Sequence, residues 1–319
     1  MSTLTLAVAD HDLNQALISG QVRCEGLDLE VVWDIEDGER HARMLRGAAF
    51  DACEFSFANY LIARSRGLPL CGIPVFPNRK FRHSYIFCNT EAGIRGPRDL
   101  EGKRVGLRAW AATASLWARG ILHHDYDVDL GTIVWFAPPE PLKIDPPSWA
   151  RVTRLDSSQD LEAMLLAGDL DVVIYPDVLP AVQQGDPRVR RLFPDYRSEE
   201  QAFFRSTGIF PISHLVVLRE EVVRRNPQAA LALLSAFRLS RDACFRRLEE
   251  QQVLSISWAQ ALLQEQRALM GERYWPYNVA DNRHVLETIV SYACEQGLIP
   301  HPIGVEELFL PETVNDSAY

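Results

Sequence analysis

Apolar positions along this chain recur at two spacings. Leu4–Ala9, Leu27–Trp33, Phe50–Phe55 and Leu70–Val75 run or alternate as strands do, while Gly38–Arg46 and Ala58–Arg66 between them repeat with a helical period. This β–α alternation predicts an α/β fold with a largely parallel sheet. A second unit begins near Ser84. It reads as a strand-like run Ser84–Cys88, a short helix, turn and strand over Gly96–Leu107, a long helix Trp110–His124 and a strand Thr132–Phe136. Residues 137–150 hold five of the 19 prolines and predict a surface loop. Ser157, three residues before Asp160, offers a capping box for a helix over Gln159–Ala167; a strand then follows in "GDLDVVIY" and another over Arg188–Phe193.

From about Ile209 the texture changes. His214–Leu218 reads as a strand, and helices follow near 220–225, 227–250, 256–270 and 281–297. A helical stretch after an α/β unit predicts a chain that crosses between two lobes and returns. Lobe one takes 1–84 and 210–319, and lobe two takes 85–209. A ligand is expected between them, outside the carboxyl ends of the strands.

Charge narrows the partners. The 319 residues carry a net charge of −10, so a broad nucleic-acid surface is not expected, and an anionic ligand needs a local cationic pocket. The six Cys show no metal-ligand spacing and are expected to be reduced. The start "MSTLTLAVADHD" lacks a basic leader, and no run of about 20 apolar residues could span a membrane, which predicts a cytoplasmic protein.

Against that acidic background, "IPVFPNRKFRHSYIFCN" (Ile73–Asn89) places Arg79, Lys80, Arg82 and His83 at the mouth of an apolar run. A guanidinium matches a carboxylate with two hydrogen bonds, so this stretch is either an anion clamp or a solvated basic turn. In an extended chain Arg79, Phe81 and His83 share one side and Lys80 and Arg82 the other. Acidic groups stand at strand ends: Asp10 and Asp12 after the first strand, and Glu54, followed by Ser56, at the end of "FDACEF". They serve either as bases and hydroxyl acceptors or as helix caps. His214 follows the turn "TGIFPIS", and Trp110 and Thr113 sit where strand gives way to helix, a place suited to an anion and a flat ring. The alternative for each is a packed core role. No GxGxxG, Walker, HExxH or GxSxG pattern occurs, so the chemistry expected is acid–base and electrostatic, with neither cofactor nor metal.

The stretches "ADHD", "FDACEFSFANYL", "IPVFPNRKFRHS", "DLEGKRVGL", "WAATASLWARGIL", "LLAGDLDVVI", "RLFPDYRSEEQAFFRSTGIFPISHLVVLR", "NPQAA" and "YWPYNVADNR", in this order along nearly the whole chain, resemble the 4,5-dihydroxyphthalate decarboxylase family. "FPNRKFRHS" and "TGIFPISH" are the most specific of them. The resemblance implies a two-lobe, type II periplasmic-binding-protein-like fold with a double crossover and a helical C-terminal region. It also implies a cytoplasmic carboxy-lyase that converts 4,5-dihydroxyphthalate to protocatechuate and CO2 without an organic cofactor. The partner expected is a small aromatic acid, not a nucleic acid or a membrane; a homo-oligomer is compatible with it. Two places depart from the family pattern: Ala109 stands where an acidic residue precedes the aromatic, and Tyr175–Pro176–Asp177 replaces a segment with Arg and prolines.

Losing CO2 from an aromatic ring requires protonation of the ring carbon, helped by a hydroxyl para to the departing carboxylate. On that scheme Arg79 and Arg82 clamp the retained carboxylate, and His83 and His214 are the acid/base candidates. Glu54 and Asp10 take the hydroxyl side, Trp110 holds the ring face, and Thr113 and Ser56 complete the pocket. Three readings compete: a related enzyme on another hydroxylated aromatic acid, a solute-binding protein of the same fold, and a cytosolic ligand sensor.

Overall fold

The computed structural model describes residues 3–47, 49–156, 158–250 and 255–316. In chain order its strands are β1 (Thr3–Ala7), β2 (Asp28–Val32), β3 (Ala52–Ser56), β4 (Leu70–Ile73), β5 (Ile86–Asn89), β6 (Arg104–Leu107), β7 (Val134–Ala137), β8 (Arg151–Arg154), β9 (Val172–Ile174), β10 (Val189–Arg191) and β11 (His214–Arg219). They form two sheets, ordered β2-β1-β3-β11-β4 and β10-β5-β9-β6-β7-β8. Within the first, β1 runs parallel to β2 and β3, while β11 is antiparallel to both β3 and β4. Within the second, β6, β7, β8 and β9 pair in parallel and β5 is antiparallel to β9 and β10. All five side chains of β3 are buried, as are the first five of β11. These strands are therefore mostly apolar, as expected for strands covered on both faces, with Glu54 and His214 as buried exceptions.

The chain divides into two compact units: Met1–Arg79 with His214–Glu287 and Ile303–Tyr319, and Lys80–Ser213 with Thr288–Pro302. The unit boundaries thus fall at 79/80, 213/214, 287/288 and 302/303. The segment Thr288–Pro302 joins the second unit because its side chains are bound there. Buried Arg119 donates to the Gln296 amide oxygen at 2.7 Å, and the Gln296 amide donates to the Leu116 carbonyl at 3.1 Å.

The other differences from expectation are local. The long helix begins at Thr113, because Trp110 and Ala111 belong to the turn after β6. The helix Leu161–Ala167 is capped by Asp160, whose carboxylate accepts the Ala163 N–H at 2.9 Å. The expected capping partner Ser157 lies outside the described residues. β8 and the helix Tyr196–Thr207 were not expected. All six cysteines are unpaired. Among the described residues no helix is long and apolar enough to cross a membrane.

Candidate active site

In the first unit, β3 and β11 pair so that His214 faces Ser56 and Val216 faces Glu54. Residues directly opposite share a face, so Glu54 and His214 are diagonal neighbours on one side of the sheet. Glu54 is fully buried, and its Oε1 accepts His214 Nδ1–H at 2.8 Å. Its Oε2 accepts the Ala9 N–H at 3.0 Å and the Asn14 amide at 3.1 Å, and lies 3.5 Å from His11 Nε2. One carboxylate thus joins two imidazoles.

The helix Asp37–Gly47 supplies the surroundings. Its Arg40 is fully buried, donates to the Glu54 backbone carbonyl at 3.1 Å and to Asp37 at 2.7 Å, and stands 3.9 Å from Glu54 Oε1. His41 meets His214 edge-on with ring centroids 5.0 Å apart. Asp37 lies 3.9 Å from His214 Nε2, the ring nitrogen that Glu54 leaves open.

These contacts set the protonation states. Burial alone would raise the Glu54 carboxyl, but hydrogen bonds and charge from His11 and His214 outweigh it and hold it well below the usual range. Burial pulls His11 down, yet Glu54, Asp12 and Asp37 together raise it above its ordinary 6.5. Burial, then the neighbouring His214 and Arg40, push His41 well below that value, so His41 stays neutral. The group can therefore hold one proton on His11, while Glu54 orients His214 through Nδ1.

The structure brings together only two of the expected catalytic residues, Glu54 and His214. His83 belongs to the second unit, where it is 1% exposed and walled by Phe193, Phe203 and Tyr126 at 5.1, 5.2 and 5.8 Å. Neither ring nitrogen has a hydrogen-bond partner among the described residues, and burial lowers its pKa to about 4. In the structure the imidazole packs among these aromatic rings.

A buried neutral His contributes stability that is complete above its unfolded value and is lost as pH falls through about 4. The effect is about 3 kcal/mol at most. His83→Phe is therefore expected to move the acid-unfolding midpoint to lower pH in a circular-dichroism titration and to leave kcat near the parent value. An unmoved midpoint would show that His83 is not held neutral.

The cations of the basic stretch part company. Arg79, in the first unit, lies over the Phe76 ring at 5.4 Å and donates to the Pro276 carbonyl at 3.3 Å and to Asn282. It ties the chain down there. In the second unit, Lys80 pairs with Asp177 at 2.7 Å, and both Lys80 and Arg82 lie over Tyr85, at 5.5 and 5.6 Å. Phe81 and His83 meet Phe203 instead, so the expected grouping of side chains is seen over 80–83, although the Arg82 backbone is helical and His83 opens a 3-10 turn. Arg82 is 2% exposed, and its Nη2 donates to Ser213 Oγ at 2.6 Å. Burial lowers its pKa to about 10, and no carboxylate lies within ion-pair distance of it among the described residues.

Four further expectations resolve. Asp10 is exposed and accepts from Gln15 at 2.5 Å, although its chain neighbours Ala9 and His11 both contact Glu54. Trp110 is fully buried, with the Arg119 guanidinium 3.9 Å over its ring, so that face is already covered. Ser56 caps the helix Phe57–Ser65 by accepting the Asn59 N–H. Thr113 is a buried first-turn residue of its helix. At the junction before that helix, both Glu140 oxygens accept the Ala111 N–H, at 3.0 and 2.9 Å, so the chain's own carboxylate takes the donor expected to hold a ligand anion.

His11, Arg40 and Asn14 are the residues that sequence reasoning missed. His11 carries a usable signal, since it follows the end of β1, the strand that pairs side by side with β3, which carries Glu54. Arg40 carries none: it lies on a helix of charged residues and shows its burial only in three dimensions.

No family model matches this chain. It is 30% identical to the 4,5-dihydroxyphthalate decarboxylase of Comamonas testosteroni over 322 residues, covering 98% of this chain and 97% of that relative. It is also 30% identical over 212 residues to the enzyme of that name from Pseudomonas putida, covering 64% of this chain and 81% of the relative. Among solved structures it resembles the periplasmic aliphatic sulphonate-binding protein SsuA from Escherichia coli, with a TM-score of 0.59, 14% identity and 97% of each chain covered. At that identity the likeness shows the fold, which is periplasmic-binding-protein-like.

Proposed function

Because the chain belongs to the 4,5-dihydroxyphthalate decarboxylase family, we propose that it removes one carboxyl group from 4,5-dihydroxyphthalate and yields protocatechuate and CO2. The observation that carries this reading is the buried Glu54 carboxylate held between His11 and His214. His214 Nε2 takes the proton of the hydroxyl para to the departing carboxylate. The resulting phenolate pushes an electron pair into the ring, and His11, held protonated beside Glu54, gives its proton to the ring carbon that bears that carboxylate. The carbon–carbon bond then breaks. Its electron pair restores the aromatic ring as a phenolate, and CO2 leaves. The phenolate recovers its proton from His214, and water reprotonates His11.

Glu54 fixes the Nδ1–H tautomer of His214 and balances whichever imidazole is charged. In the second unit, the buried Arg82 offers the planar fork that matches a carboxylate. The scheme runs on side chains alone.

The test is incubation with 4,5-dihydroxyphthalate and related acids, with products identified by mass. Protocatechuate formation supports the reading, whereas tight binding with no turnover would favour a sensor or binding protein. A hydroxylated aromatic acid other than 4,5-dihydroxyphthalate is the second reading. It is favoured by Asp177, in a segment that departs from the family pattern and pairs with Lys80 beside Arg82. Arg82→Lys keeps the charge and loses the planar fork. It is expected to raise KM about tenfold or more in steady-state kinetics, with kcat within about threefold.

A further inference from the structure

We infer that Ser213 is a positioning residue that orients the Arg82 guanidinium for one carboxylate of the ligand, an inference that rests on the reading of Arg82 as the carboxylate site. A guanidinium has five N–H donors, arranged as two forks that share Nη2. In the second unit one Nη2 hydrogen goes to Ser213 Oγ, at 2.6 Å, and neither Nε nor Nη1 has a partner among the described residues. Four donors remain. Whichever Nη2 hydrogen Ser213 takes, one fork stays complete: Nη1 with Nη2, or Nε with Nη2. A complete fork is what a carboxylate needs for two parallel hydrogen bonds.

Burial sharpens this requirement. Arg82 is 2% exposed and Ser213 is 5% exposed, so a neutral hydroxyl is the hydrogen-bond partner of a charge that water barely reaches. Asp177 and Glu200 act on Arg82 only through their field, and Glu200 is engaged by the Ser84 N–H at 3.0 Å. A buried cation with four open donors therefore selects a ligand that brings its own negative charge. A hydroxyl does what a carboxylate from the chain would not: it fixes the orientation of the guanidinium and leaves its charge uncompensated until a ligand arrives.

The backbone makes Ser213 a firm support. Trp117, fully buried on the helix Thr113–His124, donates its indole N–H to the Ile212 carbonyl at 2.8 Å. The Lys80 N–H donates to the Pro211 carbonyl at 3.2 Å. The two residues before Ser213 are thus each held by a bond from elsewhere in the second unit. The next residue along the chain is His214.

Calorimetric titration of the full-length protein with phthalate, a diacid, and with catechol, which has no carboxylate, tests the assignment without requiring turnover. Ser213→Ala is expected to weaken phthalate about tenfold and to leave catechol within about twofold, since a hydrogen bond to a charged group is lost. Ser213→Thr keeps the hydroxyl and should restore phthalate binding to within about threefold of the parent. Unchanged phthalate affinity in Ser213→Ala overturns the assignment. Equal losses for both ligands, or a Thr variant as weak as Ala, also overturn it, because a purely structural role would produce them. Absence of phthalate binding to the parent protein overturns it as well. Phthalate binding that depends on Ser213, in a protein that releases no CO2 from dihydroxyphthalate, supports this assignment and sinks the reaction proposed above.

Discussion

Glu54→Gln lowers kcat by about 10²- to 10⁴-fold, the range expected when a proton-transfer system loses its organising group. It also lowers stability by about 3–5 kcal/mol, as breaking a buried ion pair does. Both effects follow from the donors that converge on this side chain: His214 Nδ1–H, the Ala9 N–H, the Asn14 amide and His11 Nε2. A glutamine has one oxygen to offer them. If that oxygen keeps His214, the new NH2 faces the Ala9 and Asn14 donors, and if it turns round, His214 loses its tautomer. Arg40, fully buried and 3.9 Å from the lost charge, is left beside a neutral amide. Steady-state kinetics and thermal melting check the two effects separately. A variant with parental kcat would remove Glu54 from the proposed chemistry.

His214→Gln has the second large effect, again a loss in kcat of about 10²- to 10⁴-fold, with KM within about threefold because the imidazole works on a proton and not on the carboxylate. The pH profile separates the two imidazoles. The scheme needs His11 protonated, and its pKa is raised above 6.5. The parental kcat therefore falls as pH rises through that raised value. His11→Gln abolishes this alkaline limb along with most of the rate, whereas His214→Gln retains the limb on a much reduced rate. A His214→Gln enzyme of near-parental kcat would exclude His214 from proton transfer.

Legibility followed burial pattern. β3 and β11 could be read because their side chains are almost all buried and, apart from Glu54, Ser56, His214 and Arg219, apolar. β8, "RVTR", has no fully buried residue and so carried no strand signal. The helix Tyr196–Thr207 buries only Phe203 and reads as a polar loop. The site was half legible for a related reason. A carboxylate in an apolar strand and a His opening another strand are conspicuous, and Glu54 and His214 were both found. Their mutual contact is not written locally, since 160 residues separate them. Within the basic stretch, alternation distinguished two sides. Only the structure showed that His83's side is a box of aromatic rings and that Arg82's side leads to Ser213. Trp110 misled because an aromatic at a strand–helix junction looks like a stacking platform; Arg119, nine residues on, already occupies its face.

The place of β11 in its sheet has a consequence for the order of events during synthesis. It lies between β3 and β4, antiparallel to both, yet it is made after the whole stretch from β5 to β10. A nascent chain that ends at Ser213 carries β3 and β4 with unpaired inner edges, the kind of edge that pairs with another chain. The stretch 80–213 can meanwhile collapse while the first sheet waits for its centre. Sheet closure at this long sequence separation is intrinsically slow. The last step of that closure is also the one that delivers His214 to Glu54, so this buried pair comes into being only when the first sheet is complete.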